Sequence, residues 1–247
     1  MDTAVQQTLE IAPDVLRSEP ESVSAWIEKR ELKTMMGWLG MIALGSALFG
    51  AAIGCWHSPL QACYTALKFP FLILFTVFAN ALLNGMLAPL LGLRLGIRGS
   101  LMAVLLSFAL ACAILAGFAP LLWFVVWNVP RFEVSSGTEI LAYRFMQLAT
   151  VGMIALAGVV ANVKLLRFFE HQCGSQRISR RVLFSWLAGN LLLGSQICWV
   201  MRPFIGWPLA DAVFLMDDPF QGNFFETCFD AFLALATGDA GELEVRP

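Results

Sequence analysis

"TMMGWLGMIALGSALFGAAIGC", residues 34 to 55, decides the fold: it carries no charged side chain from end to end. A helix needs about 20 apolar residues to cross the hydrocarbon of a bilayer. Lipid offers backbone N–H and C=O groups no partners, so such a run crosses as a helix. Four more stretches meet the same requirement. The second runs from Phe69 to Leu93, with Pro70 in its first turn, where a missing N–H costs little. The third runs from Gly99 to Ala119 and stops near Pro120; the fourth spans Phe145 to Val163 and the fifth Val182 to Met201. "LLWFVVW" (121–127), behind Pro120, is too short to cross again and reads as an interfacial or re-entrant piece anchored by Trp123 and Trp127.

Composition agrees with that solvent. The chain has 247 residues, 58% hydrophobic and 14% charged, and its mean hydropathy is +0.72. A soluble domain is about one quarter charged. A net charge of −2 gives no basic face of the kind that binds nucleic acid. The expectation is an all-α integral membrane bundle of about five transmembrane helices plus interfacial helices, with the lipid bilayer as its first partner.

Three regions follow. Residues 1–33 are a charged, weakly amphipathic segment broken by Pro13 and Pro20, without a signal-peptide cleavage pattern; the first span is expected to act as an uncleaved anchor. Residues 34–201 hold the five spans. Residues 202–247 form a turn, a short helix and an acidic tail. With the N-terminus cytoplasmic, basic residues crowd the inner side, among them Lys164, Arg167, Arg177, Arg180 and Arg181 around one short loop. The other side keeps Lys68, Arg131, Arg144, Arg202 and Arg246. The positive-inside rule then places the C-terminus outside.

Polar residues inside spans are costly and often functional. Asn80 and Asn84, four apart, share one face of the second helix, and Asn190 and Gln196 lie on the fifth. Hydrogen bonding between helices is the structural expectation for all four; a channel or transporter path lined by them is the functional one. Ser46, Gly50 and Gly54 step by four along the first helix, a spacing that lets two backbones approach closely. Cys55 and Cys63 bracket a first outer loop, "CWHSPLQAC", a spacing compatible with a disulfide without requiring one. Cys112 and Cys198 read as apolar fillers. "EHQC" (170–173) is a weak metal pattern, and His57 and His171 fall on opposite membrane faces. No Gly-rich phosphate loop, HExxH, GxSxG or CxxC occurs, so no catalytic set, cofactor or metal is expected.

Behind the fifth span comes "RPFIGWP" (202–208), in which Pro203 and Pro208 forbid a regular helix and Gly206 allows a tight turn. Arg202 is placed to snorkel to phosphates or to pair with an acidic residue of the tail. The segment reads either as a turn folded back onto the bundle, pinned by Phe204, Ile205 and Trp207, or as a recognition or pore-lining element. Downstream, Asn223 followed by Glu226 resembles a capping box. Phe225, Phe229, Phe232 and Ala236 then share one helical face, with Glu226 and Asp230 on another, placing this helix on the outer surface or against the bundle.

Together, "LKFPFLIL" (67–74), Gly194, Ser195, Gln196, Trp199, "RPFIG" (202–206) and "GNFFE" (222–226) resemble a family of bacterial polytopic membrane proteins of uncharacterised function. That family is sometimes labelled "actin-binding WH2 domain-containing", although "ELKT" (31–34) against a membrane span is not such a motif. The layout is also similar to that of Yip-type membrane proteins. The resemblance implies a polytopic fold in a bacterial inner membrane and supplies no activity. This chain departs from the pattern at Trp207 and in a longer 209–221 segment.

The functional expectation is a non-enzymatic structural or assembly component. It would engage a partner, or a second copy, through the outer C-terminal segment, with Arg202, Pro203, Phe204, Gly206, Trp207, Gly222, Asn223, Phe224 and Glu226 as the motif. The alternatives are the Asn/Gln-lined path and a lipid-interacting enzyme using Arg202 with Asp217 or Asp218.

Overall fold

The computed structural model describes residues 32–90, 97–129, 137–173, 176–206 and 211–238. The amphipathic reading of residues 1–31, the Trp207 anchor and the side chains of His171 and Cys173 lie outside what is described. The described elements are helices: α1 (Leu32–Gly54), α2 (Pro59–Leu90), α3 (Ile97–Asn128), α4 (Gly137–Cys173), α5 (Gln176–Val200) and α6 (Phe224–Thr237). The first five are long and apolar enough to cross a membrane. The all-α bundle with five spanning helices is therefore what the chain forms.

Two boundaries differ from the sequence reading, each for a physical reason. The loop expected between Cys55 and Cys63 is only a turn, because α2 begins at Pro59. Ser58 caps that start: its hydroxyl accepts the Gln61 N–H at 3.1 Å. Pro59 occupies the first helical position, where its absent donor matters least. Pro70 consequently lies well inside α2, and Cys55 and Cys63 are both free thiols, so the disulfide their spacing allows is not formed. In the same way α3 runs unbroken through Pro120, and "LLWFVVW" is its last two turns instead of a separate piece. Proline inside a helix costs about 3 kcal/mol. Leu115 before it and Leu122 and Val126 after it are buried in one cluster, and that packing outweighs the penalty. Trp123 and Trp127 remain exposed on the outside of α3, stacked at 6.2 Å.

The core is a trio. α1 packs on both α2 and α3, which also touch each other; α4 lies on α3, α5 on α2, and α4 meets α5. Burial follows this order, from 56% of the α1 span to 17% of the α5 span. Small residues set the close contacts. A Cβ on Gly45 would collide with the Cys112 carbonyl oxygen; one on Gly50 would lie 2.7 Å from the Thr65 carbonyl oxygen, and one on Gly54 2.6 Å from that of Gln61. The small-residue stripe of α1 is thus used within the chain, against α2 and α3. Around Ser46, whose hydroxyl bonds the Ile42 carbonyl, the helix keeps its own polar group satisfied.

Gly50→Val is expected to destabilise the bundle by about 1–3 kcal/mol, the usual cost of overpacking. Gly152→Ala, where an added Cβ meets nothing within 4 Å, is expected to be neutral. Reversible unfolding in mixed detergent micelles, read by circular dichroism, checks the pair.

Candidate functional site

Where α5 stops, its last carbonyls have no partners within the helix. Arg202 bonds one of them, that of Trp199, and Lys68 holds the turn that follows the helix. Gln61, Thr65 and Lys68 lie on one face of α2, and all three are fully buried. Lys68 Nζ donates to the Pro203 carbonyl at 2.8 Å and to that of Met201 at 3.2 Å. Gln61 Nε2 donates to the Pro203 carbonyl at 3.0 Å, and Thr65 Oγ1 to that of Phe204 at 2.7 Å. The Lys68 ammonium also faces the rings of Phe214 at 5.0 Å and Phe204 at 5.5 Å. No described carboxylate pairs with it. A cation at a helix C-terminus also answers the negative end of the macrodipole. Lys68, read from sequence as lying at a span end on the outer side, is instead 0% exposed inside the bundle.

Arg202 forms the second half of this latch. Its Nη1 donates to the carbonyls of Trp199 and Pro219, both at 2.9 Å, and its Nη2 to those of Asp218 at 3.1 Å and Gln221 at 2.8 Å. The guanidinium stacks 3.9 Å from the centre of the Trp199 ring, and the Trp199 indole N–H donates to Gln221 at 2.9 Å. Burial lowers the Arg202 pKa from its ordinary value. The partner of Arg202 in the tail is thus main-chain oxygen. Asp217 and Asp218 keep exposed side chains, and Arg202 bonds the Asp218 main chain where pairing with an acidic side chain of the tail was expected.

The remaining motif residues build the same latch. Pro203 and Gly206 are buried and Phe204 is half-buried, its ring edge-on to Phe69 at 5.2 Å. Gly206 has φ +92°, and a Cβ there would lie 2.6 Å from the His57 ring. Gly222 has φ +79°, and a Cβ would lie 2.7 Å from Trp199. Both positions need glycine for conformation and for space. The turn at 202–206 is accordingly folded into the bundle, between α2 and the α1–α2 turn. Asn223 caps α6 by accepting the Phe225 N–H at 3.1 Å, but Glu226 is exposed and does not return the bond, so the expected capping box is half made.

α6 lies on α4 and α5. It turns Ala231 inward; Phe225, Phe229, Phe232 and Leu233 stay on the outside, with Phe229 60% and Phe232 59% exposed. Phe224 is half-buried at its start.

The intramembrane polar cluster comes together only in part. Asn80 and Asn84 are buried, Asn190 is half-buried, and Gln196 is exposed while its neighbour Ser195 takes the buried position. Among the described residues, none of these side chains hydrogen-bonds to another helix. Asn80 Nδ2 donates to Thr76 of its own helix at 3.0 Å, and Ser195 to Leu192 at 3.0 Å. Asn80 Oδ1, Asn84 Nδ2 and Asn190 Oδ1 are buried without a partner. Sequence reasoning missed Gln61, Thr65 and Lys68; their signal was a polar face of spacing four and three directly after the "SPLQ" cap.

The site therefore defines a class: a multi-spanning helical bundle whose last span is locked by carbonyl-bound cations. Comparison with protein-family models, with curated proteins and with solved structures found no match to this chain.

Lys68→Met takes the ammonium from the Met201 and Pro203 carbonyls, of which Pro203 keeps Gln61, at an expected cost of about 1–3 kcal/mol. Hydrogen exchange of the full-length protein in bilayer nanodiscs is expected to show faster exchange at residues 199–206 and unchanged protection in α3.

Proposed function

We propose that the protein is a non-enzymatic inner-membrane component that assembles with another membrane protein, or with a second copy of itself, through the outward face of α6. One observation carries this reading: a helix held in place by the Arg202–Trp199 latch presents Phe225, Phe229, Phe232 and Leu233 outward. Glu226 and Asp230, both exposed, give that face a polar edge. The buried 202–206 turn acts as its support. Aromatic side chains at such a density are what interface centres use. The resemblance to a bacterial polytopic family, the cytoplasmic N-terminus and the external C-terminus belong to the same proposal, supported by the distribution of Lys and Arg.

Two measurements test it. A photoreactive phenylalanine analogue at Phe229 is expected to give a protein–protein adduct in intact membranes, lost in Phe232→Asp. Adducts with lipid alone, together with a strictly monomeric mass in mild detergent, would contradict the assembly role. For the orientation, a reporter active only outside the cytoplasm is expected to work when fused after Pro247 and to be silent when fused after Cys173.

A further inference from the structure

The first two turns of α5 carry three arginines, Arg177, Arg180 and Arg181, and no carboxylate occurs anywhere in that helix. All three side chains are exposed. Ser179, Val182 and Trp186 mark the buried side of the same turns, each at most 1% exposed. At 3.6 residues per turn, Arg177 stands opposite that side, and Arg180 and Arg181 flank it within an arc of about 100°. Residues three and four apart on a helix have Cβ atoms about 5–6 Å from each other. The three guanidinium groups therefore share one outward surface.

The span sets the depth of that surface. The part of α5 apolar enough to cross a membrane begins at Ser179, so the trio straddles the boundary between hydrocarbon and headgroups. Lipid phosphates lie at that level, and long cationic side chains reach toward them. No described carboxylate pairs with any of the three; Glu170 of α4, the nearest along the chain, is half-buried and bonds none of them. Like charges so placed on a helix repel one another, and an anion between them removes that cost. The positive-inside rule counts cations on one side of the membrane and is indifferent to the way they face. Their gathering on one exposed arc is a separate property, and it suits a ligand.

We infer that the Arg177–Arg180–Arg181 face of α5 is a binding site for the phosphate of an anionic phospholipid. A guanidinium presents paired N–H donors that match two phosphate oxygens. A zwitterionic lipid brings an ammonium of its own, which three arginines repel; an anionic lipid does not. Arg180 and Arg181 lie within the apolar stretch itself, at the level of lipid, which favours a headgroup over a soluble polyanion. The site requires only the bilayer. It stands whichever way the chain is oriented and whatever α6 binds.

The test is native mass spectrometry of the full-length protein released from nanodiscs made of equal parts phosphatidylglycerol and phosphatidylcholine. Phosphatidylglycerol is expected to be retained in preference, on the order of a hundredfold, from three arginines at about fivefold each. Arg177→Gln and Arg181→Gln are each expected to lower that preference about fivefold. Arg98→Gln removes an exposed cation from the start of α3, which crosses in the same direction as α5; it is expected to leave the preference unchanged. An equal drop in Arg98→Gln would reduce the effect to the overall charge of that membrane face and overturn the inference. Equal retention of the two lipids, or displacement of phosphatidylglycerol by inorganic phosphate, would overturn it as well.

Discussion

A helix that ends within reach of lipid leaves carbonyl oxygens that only protein can satisfy. In this chain that constraint falls on the C-terminus of α5, the least buried of the five spans. Arg202, just beyond α5, answers it at the Trp199 carbonyl, while Lys68 from α2 takes the carbonyls of Met201 and Pro203 in the turn that follows. The two cations then do more than cap. Lys68 draws 201–203 onto α2, and Arg202 gathers 218–221 over Trp199, which sets where α6 begins. Position and orientation of the C-terminal helix thus follow from the way one span is terminated.

Hydropathy made the spans legible, because a charge-free run of the α1 type has no other stable solution in a chain this apolar. It located their ends poorly. Lys68 looked like a boundary because a lysine in lipid is costly; carbonyl oxygens and two aromatic faces remove that cost locally, and the true boundary was written in Ser58, Pro59 and Gln61. Pro120 misled for a related reason. Local propensity argues for a break, whereas Leu115, Leu122 and Val126 pack on both sides of the ring and hold the helix together.

Part of the latch was legible in the sequence, while the polar face of Gln61, Thr65 and Lys68 was not recognised. Arg202, Gly206, Gly222 and Asn223 stood out as a dense motif, and each has a mechanical part in the latch. The apolar periodicity of α6 was readable too, but Phe229 and Phe232 point away from the bundle. Beside a membrane, an aromatic face has an apolar surrounding or a partner available, so periodicity reports amphipathicity without saying which side faces in. Gln196 shows the same limit at the scale of one residue. Its neighbour Ser195 takes the inward position, and no composition argument distinguishes the two.

The molecule thus divides into a core of α1, α2 and α3 and a C-terminal helix that turns an aromatic face outward. The place of that helix rests on how the chain leaves α5, where Lys68 holds the Pro203 carbonyl. Nitrogen–carbon dipolar recoupling between the labelled side-chain nitrogen of Lys68 and the labelled carbonyl of Pro203, in the full-length protein in lipid, measures that link. The ammonium and the carbonyl oxygen lie 2.8 Å apart here, which puts the nitrogen within about 4 Å of the carbonyl carbon, so measurable dephasing at long mixing times is the expected result. A freely rotating Lys68 ammonium with no coupling to Pro203 would contradict the latch.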